Sequence, residues 1–244
     1  METRFFFEEL PSTQAHAVEL ARRGAPVGVT VRAAAQSAGV GRADHRWVSP
    51  PGGLYLSTVG PDVPAGPPLL PLALGAALQG EFARRWSVRS QVKWPNDVIQ
   101  PGPGGYRKIA GVLTERIVGD AGPRTVVGLG INVQARPAGF PPELADHVAF
   151  LEDIAAPPPS VDEVERMTLE AVRGVFADLA VPAHASRWIA RCRQALYGLG
   201  LRVRVDGSPL GRIAGLGEDG ALWVDGPQGR VEVRAGEVQV EVGS

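Results

Sequence analysis

Thiols are almost missing from this chain. Cys192 is the single cysteine in 244 residues, which excludes an internal disulfide and suits a reducing cytoplasm. Net charge is almost missing too. Against 26 acidic residues stand 25 basic ones, for a formal charge of −1, so no bulk field calls for nucleic acid. Long apolar runs are also lacking. The stretch Pro67–Leu78 is interrupted by prolines and is shorter than a membrane span. Phe5-Phe6-Phe7 is too short for a secretory leader and runs into Glu8-Glu9. Among the histidines, His16, His147 and His184 have no partner at a metal-ligand spacing. A cytoplasmic chain with no membrane span and no dedicated metal ligand is expected.

What remains is ordinary globular material. The hydrophobic fraction is 44 %, enough for a packed core. The length suits one large domain, or one domain with a small companion. The 31 glycines and 22 prolines fall between strong strand patterns, where they read as turns.

Taken in order, Arg4–Phe7 reads as a short strand. Ser12-Thr13-Gln14 opens a helix to about Arg23, stopped by Gly24. Val27–Ala35 alternates and reads as a strand, as does Leu54–Val59. Pro67–Trp86 reads as an apolar helix and Val88–Trp94 as a strand. Pro137–Pro142 is a loop. Ser160 caps a helix to about Leu179, with Asp162 and Glu163 suiting its dipole, and a further helix covers Ala185–Leu196. Beyond Gly198–Gly200 the composition shifts to five short strands, Leu201–Val205, Leu210–Leu216, Ala221–Val224, Val231–Arg234 and Val238–Val242, at the spacing of a small barrel.

Chemistry concentrates in Lys93-Trp94-Pro95-Asn96-Asp97-Val98 and in Arg107-Lys108-Ile109-Ala110-Gly111-Val112-Leu113-Thr114-Glu115. Asn96-Asp97 is turn chemistry, and Pro101–Gly105 reads as a hairpin loop. Strict alternation puts Lys108, Ala110 and Val112 on one face and Ile109, Gly111 and Leu113 on the other. Downstream, Val126-Val127-Gly128-Leu129-Gly130-Ile131-Asn132 is an apolar strand with alternating glycines. Such a strand packs tightly or lets a ligand approach, and it is no Rossmann fingerprint because no helix follows in phase.

These runs resemble the signature of the biotin protein ligases, and the resemblance extends from about Ser12 to the C-terminus. It implies an α+β fold. A mixed sheet with flanking helices, of the class II synthetase/biotin ligase type, would fill residues 1–197. A small SH3-like β-barrel would fill 198–244, with Gly236-Glu237-Val238 also like the family. It implies an enzyme that joins biotin to ATP, with Mg²⁺ on the phosphates, and passes the acyl group to a lysine of a biotin carboxyl carrier domain. A lipoate- or octanoate-handling enzyme and a non-catalytic biotin binder are the rival readings.

Residue by residue, the resemblance implies that Lys108 and Arg42 hold the carboxylate and the α-phosphate, and that Asp97 assists the acceptor lysine. Ser12, Thr13, Gln36, Gly39, Gly111 and Gly128 would meet biotin. Trp47 and Asn132 would join Arg42 at the nucleotide. Read without the resemblance, Ser12 or Thr13 is the helix N-cap, and both roles can hold with one hydroxyl for each. Gln14 replaces the family's Asn.

The loop Gln36–Trp47 departs most from the family's arginine-rich pattern, with Val40, Ala43, Asp44 and His45 at altered positions. Each unit-charge contact near 4 Å is worth about 1 kcal/mol in water and about 4 kcal/mol at a protein surface. The lost cations should therefore slow adenylation unless Arg46 replaces them. Eleven residues precede Ser12, too few for a DNA-binding domain, so no DNA partner is expected, while the family leaves room for a homodimer.

Overall fold

A computed structural model describes residues 3–63, 69–134 and 140–241. Its elements in chain order are β1 (Arg4–Leu10), α1 (Thr13–Arg22), β2 (Thr30–Gln36), β3 (Leu54–Pro61), α2 (Leu69–Trp86), β4 (Gln91–Lys93), β5 (Asp97–Gly102), β6 (Gly105–Gly119), β7 (Gly122–Ile131), α3 (Leu151–Ile154), α4 (Val161–Leu179), α5 (Ala185–Ala195), β8 (Arg202–Val205), β9 (Ser208–Leu216), β10 (Leu222–Gly226), β11 (Gly229–Val233) and β12 (Val238–Glu241). Pro67 and Pro68, residues 137–139 and Val242, placed by pattern in a helix, a loop and a strand, lie outside the described residues.

The first seven strands form one sheet in the order β1-β2-β3-β7-β6-β5-β4. The β1–β2 pair is parallel and the other pairs are antiparallel. This is the mixed α+β architecture expected. On one face, Leu56, Ala110, Val112, Leu129 and Ile131 pack against α2 and α4. The other face carries α1 at one end and the candidate site at the other. β3 is buried along nearly its whole length, which explains its continuous apolar run. Ser160 and Glu163 complete a reciprocal capping box at the start of α4.

Two local expectations are corrected. β2 starts at Thr30 rather than Val27, because Gly28 sits at φ +94° in a turn. The alternation of β6 is also broken. Val98 pairs with Ala110, but Ile99 pairs with Lys108. This bulge spends one extra residue on β6, so Ile109 and Ala110 both enter the core. Lys108 and Gly111 come to the same face, with Lys108 Nζ 3.3 Å from where a Cβ on Gly111 would stand.

The last five strands form a second antiparallel sheet, β11-β10-β9-β8-β12, as expected for an SH3-like unit. Its apolar side shares a core with Leu72 and Ala76 of α2, Val92 of β4, Trp94 of the signature, and Cys192 of α5. No helix among the described residues is long and apolar enough to cross a membrane.

Candidate active site

A cavity of about 800 Å³ opens where the large sheet, the start of α1, the 40–47 loop and the edge of the second sheet meet. Ser12, Thr13, Gln36, Arg42, Trp47, Asp97, Lys108, Gly111 and Gly128 all line it. Gly39 and Asn132 do not.

One end is a polar floor. Thr13 N–H donates to Gln36 Oε1 at 2.8 Å, and an N–H can only donate, so this bond fixes the amide's orientation. The Thr13 hydroxyl, 3.1 Å from the same oxygen, then gives its proton to Gln36 as well. The Ser57 hydroxyl, 3.0 Å from Thr13 Oγ1, must donate in turn. On the other side Gln36 Nε2 donates to Ser49 Oγ at 2.8 Å, and Ser49 donates to the Trp47 carbonyl at 3.0 Å. The chain of hydrogen bonds thus has one polarity throughout. Ser12 caps α1, its Oγ accepting from Ala15 N at 3.3 Å. Its proton remains for an acceptor in the cavity, so both roles weighed for this hydroxyl are open to it. Gln14 is buried, and its Nε2 donates to Glu115 Oε1 at 2.8 Å. Its Oε1 lies 2.5 Å from where a Cβ on Gly128 would stand. The room left by Gly128 is therefore filled by the chain's own carboxamide.

The other end carries charge. Lys108 Nζ pairs with Asp97 Oδ1 at 2.7 Å and lies 4.8 Å from the centre of the Trp47 ring. The indole rests across Gly111 and Gly130, which face each other in the β6–β7 ladder. A Cβ on Gly111 would come within 2.8 Å of Trp47 Cζ3, and one on Gly130 within 2.7 Å of its Nε1. Asn132 stands behind this arrangement. Its Nδ2 donates to the Lys108 carbonyl at 3.0 Å, so it holds the lysine's backbone at the bulge. Gly39 allows close packing rather than ligand approach, since a Cβ there would come within 2.7 Å of Ser49 Oγ. Trp94 turns away from the cavity, and its Nε1 donates to the Gly220 carbonyl at 3.0 Å inside the second core.

The 39–47 loop closes one wall. Trp47 N donates to Gly39 O, Gly41 N to His45 O and His45 N to Arg42 O, while Val40 and Arg46 form a bridge. Ala43 turns the chain at φ 50°. Arg46 lines the cavity and donates to the Ser37 carbonyl at 3.4 Å.

Sequence reasoning passed over several lining residues. Asn96 locks the signature turn to β6, its Nδ2 donating to Val112 O at 2.8 Å while Val112 N donates back to its carbonyl. Its position inside the signature was the available signal. Ser57 and Asp206 gave none, because only the folded register brings them in. Glu237 also lines the cavity, in the Gly-Glu-Val run already singled out.

Magnesium, which the resemblance implies, would come on the nucleotide's phosphates rather than to a cage of protein ligands. Among the described residues no group of three His, Cys, Asp or Glu side chains is gathered for a metal, and Asp97 in the cavity is already paired with Lys108.

The model of the biotin/lipoate A/B protein ligase family matches residues 6–132. The chain belongs to that family. It is 30 % identical over 242 residues to the bifunctional ligase/repressor BirA of Bacillus subtilis, covering 96 % of this chain and 73 % of that protein. It is 32 % identical over 250 residues to the biotin–[acetyl-CoA-carboxylase] ligase of Paracoccus denitrificans, covering 93 % and 96 %. Among solved structures, the biotin protein ligase of Aquifex aeolicus in complex with biotin and ATP superposes with a TM-score of 0.83 at 25 % identity, over the full length of both chains. These relatives are ligases, and the chain is an enzyme of the same class.

Proposed function

We propose that this enzyme activates biotin with ATP as biotinyl-5′-adenylate and transfers the acyl group to a lysine of a biotin carboxyl carrier domain. The observation that carries this reading is the layout of the cavity: a polar floor at one end and the Lys108–Asp97 pair at the other, with the Trp47 indole lying over Gly111 and Gly130 between them. A bicyclic urea with an acidic tail has the same order of parts. In the first step a carboxylate oxygen attacks the α-phosphorus and the bond to pyrophosphate breaks. Two anions must meet, so the work is positioning and charge neutralisation, supplied by Lys108 and Arg42. In the second step the acceptor amine attacks the acyl carbon and AMP leaves, with Asp97 orienting that amine.

Cys192 does not serve as a thiol nucleophile in this reading. It is buried in α5, and burial pushes its thiol up to about 12, whereas transfer needs a thiolate. Residues 1–197 act as the catalytic domain and 198–244 as an SH3-like domain that completes one rim of the cavity, in a cytoplasmic enzyme. Biotin-dependent ATP–pyrophosphate exchange tests the whole, run in parallel with lipoate and octanoate. Exchange with biotin is expected. Exchange only with another acid would move the substrate, and exchange with none would leave a binder.

A further inference from the structure

Lys93 ends β4, and 91 % of its surface is buried (9 % exposed). Among the described residues no carboxylate lies within ion-pair distance of its Nζ, although three stand near the same cavity. Asp97 is taken by Lys108 at 2.7 Å. Asp206 accepts from the Glu237 backbone N–H at 2.8 Å. The Glu237 carboxylate accepts from Gln239 Nε2 at 3.3 Å. What holds Lys93 is the face of Tyr106, 5.5 Å from ring centre to Nζ, with Tyr106 itself braced edge-on by Tyr197 at 5.4 Å. Burying a cation without a counter-charge is costly, and loss of hydration lowers the lysine's proton affinity. Such a group is explained when the ligand brings the missing anion.

Position says which anion. Lys93 faces Asp97 across β4–β5, Asp97 faces Gly111 across β5–β6, and Gly111 faces Gly130 across β6–β7. Facing residues share a side of the sheet, so all of these point into the cavity. Strands are about 4.8 Å apart, which puts Lys93 roughly 10 Å across the sheet from the strand bearing Lys108. Both lysines line the same cavity, and a single carboxylate held at Lys108 supplies only one anion to two cations. A phosphate chain that starts beside Lys108 carries further anionic oxygens toward β4. We infer that Lys93 is a further substrate-binding cation of this enzyme, taking the terminal phosphates of the nucleoside triphosphate, the part that leaves as pyrophosphate.

This rests on the nucleotide-dependent reading above, and the experiment separates the two. Lys93→Met keeps the length and apolar stem but removes the charge. In pyrophosphate exchange it should raise the KM for ATP by about tenfold or more, as loss of a charge-assisted contact does, with the KM for biotin changed less than about threefold. The unliganded variant should melt no lower than the wild type, because the unpaired charge is gone. Stabilisation of the unliganded protein by inorganic pyrophosphate, read as a melting shift, should shrink in Lys93→Met and survive in Lys93→Arg. A purely structural lysine would instead lower the melting point and leave the ATP KM alone. An ATP KM within about twofold of wild type, or equal rises for ATP and biotin, overturns the assignment. Should the wild type show no exchange with biotin yet keep a Lys93-dependent pyrophosphate shift, the biotin reading falls and this one stands.

Discussion

The two walls of the cavity are built differently. One is carried by β5, β6 and β7, where Asp97, Gly111 and Gly130 sit at ladder positions and Lys108 beside the β6 bulge. Two side chains brace it from behind, Asn132 on the Lys108 carbonyl and Asn96 on the Val112 carbonyl. The other wall is the 39–47 loop, held by a few backbone hydrogen bonds and one isolated bridge. The resemblance to biotin ligases follows the same division. It is close on the strands and weak on the loop, at Val40, Ala43, Asp44 and His45. A charge on a ladder cannot be supplied from a neighbouring position, because a shift of one residue turns it to the opposite face. A charge on a loop can, and Arg46 lines the cavity where the altered positions do not supply one.

The sharpest test of this contrast is Lys108→Ala. It should lower adenylate formation by about 10²–10³-fold, the scale of removing one aimed electrostatic group, with the melting point nearly unchanged. Retained exchange would sink the strand-borne assignment. Next comes Gly130→Ala. Its Cβ would overlap the Trp47 indole, costing roughly 1–3 kcal/mol in a denaturant titration if the ring cannot move. No loss would mean the loop gives way and the two walls are loosely coupled. Arg46→Ala should cost about 1 kcal/mol, or roughly fivefold, in exchange rate, as an exposed charge near an anion does, and the deficit should fade with added salt. A loss as large as that of Lys108→Ala would erase the distinction. Smallest is Cys192→Ala, remote from both walls. It should leave exchange unaltered and cost about 1 kcal/mol of stability, and native Cys192 should resist iodoacetamide at neutral pH.

Most elements were legible because their patterns are local. The capping box at Ser160, the turn at Gly104 and the five short C-terminal strands follow from residues adjacent in the chain. The bulge at Ile109–Ala110 was not legible, since it arises from the register between β5 and β6. The site was readable where a motif carried it. Gln14 filling the space at Gly128, Asn132 serving the Lys108 backbone and Lys93 making no ion pair among the described residues all depend on what the fold brings opposite them. Gly39 and Gly128 show that a small residue reports close approach without naming what approaches.

Trp94 gives the signature run a second address. Lys93 and Asp97 look into the cavity, while the indole between them is bolted through Gly220 O into the core shared with β8–β12. The C-terminal sheet is thus part of the jig that holds the reacting groups, and a fault in its turn at Gly220 would be felt as misalignment of Lys93 and Asp97. An enzyme trimmed before Arg202 would lose calibration as well as cover.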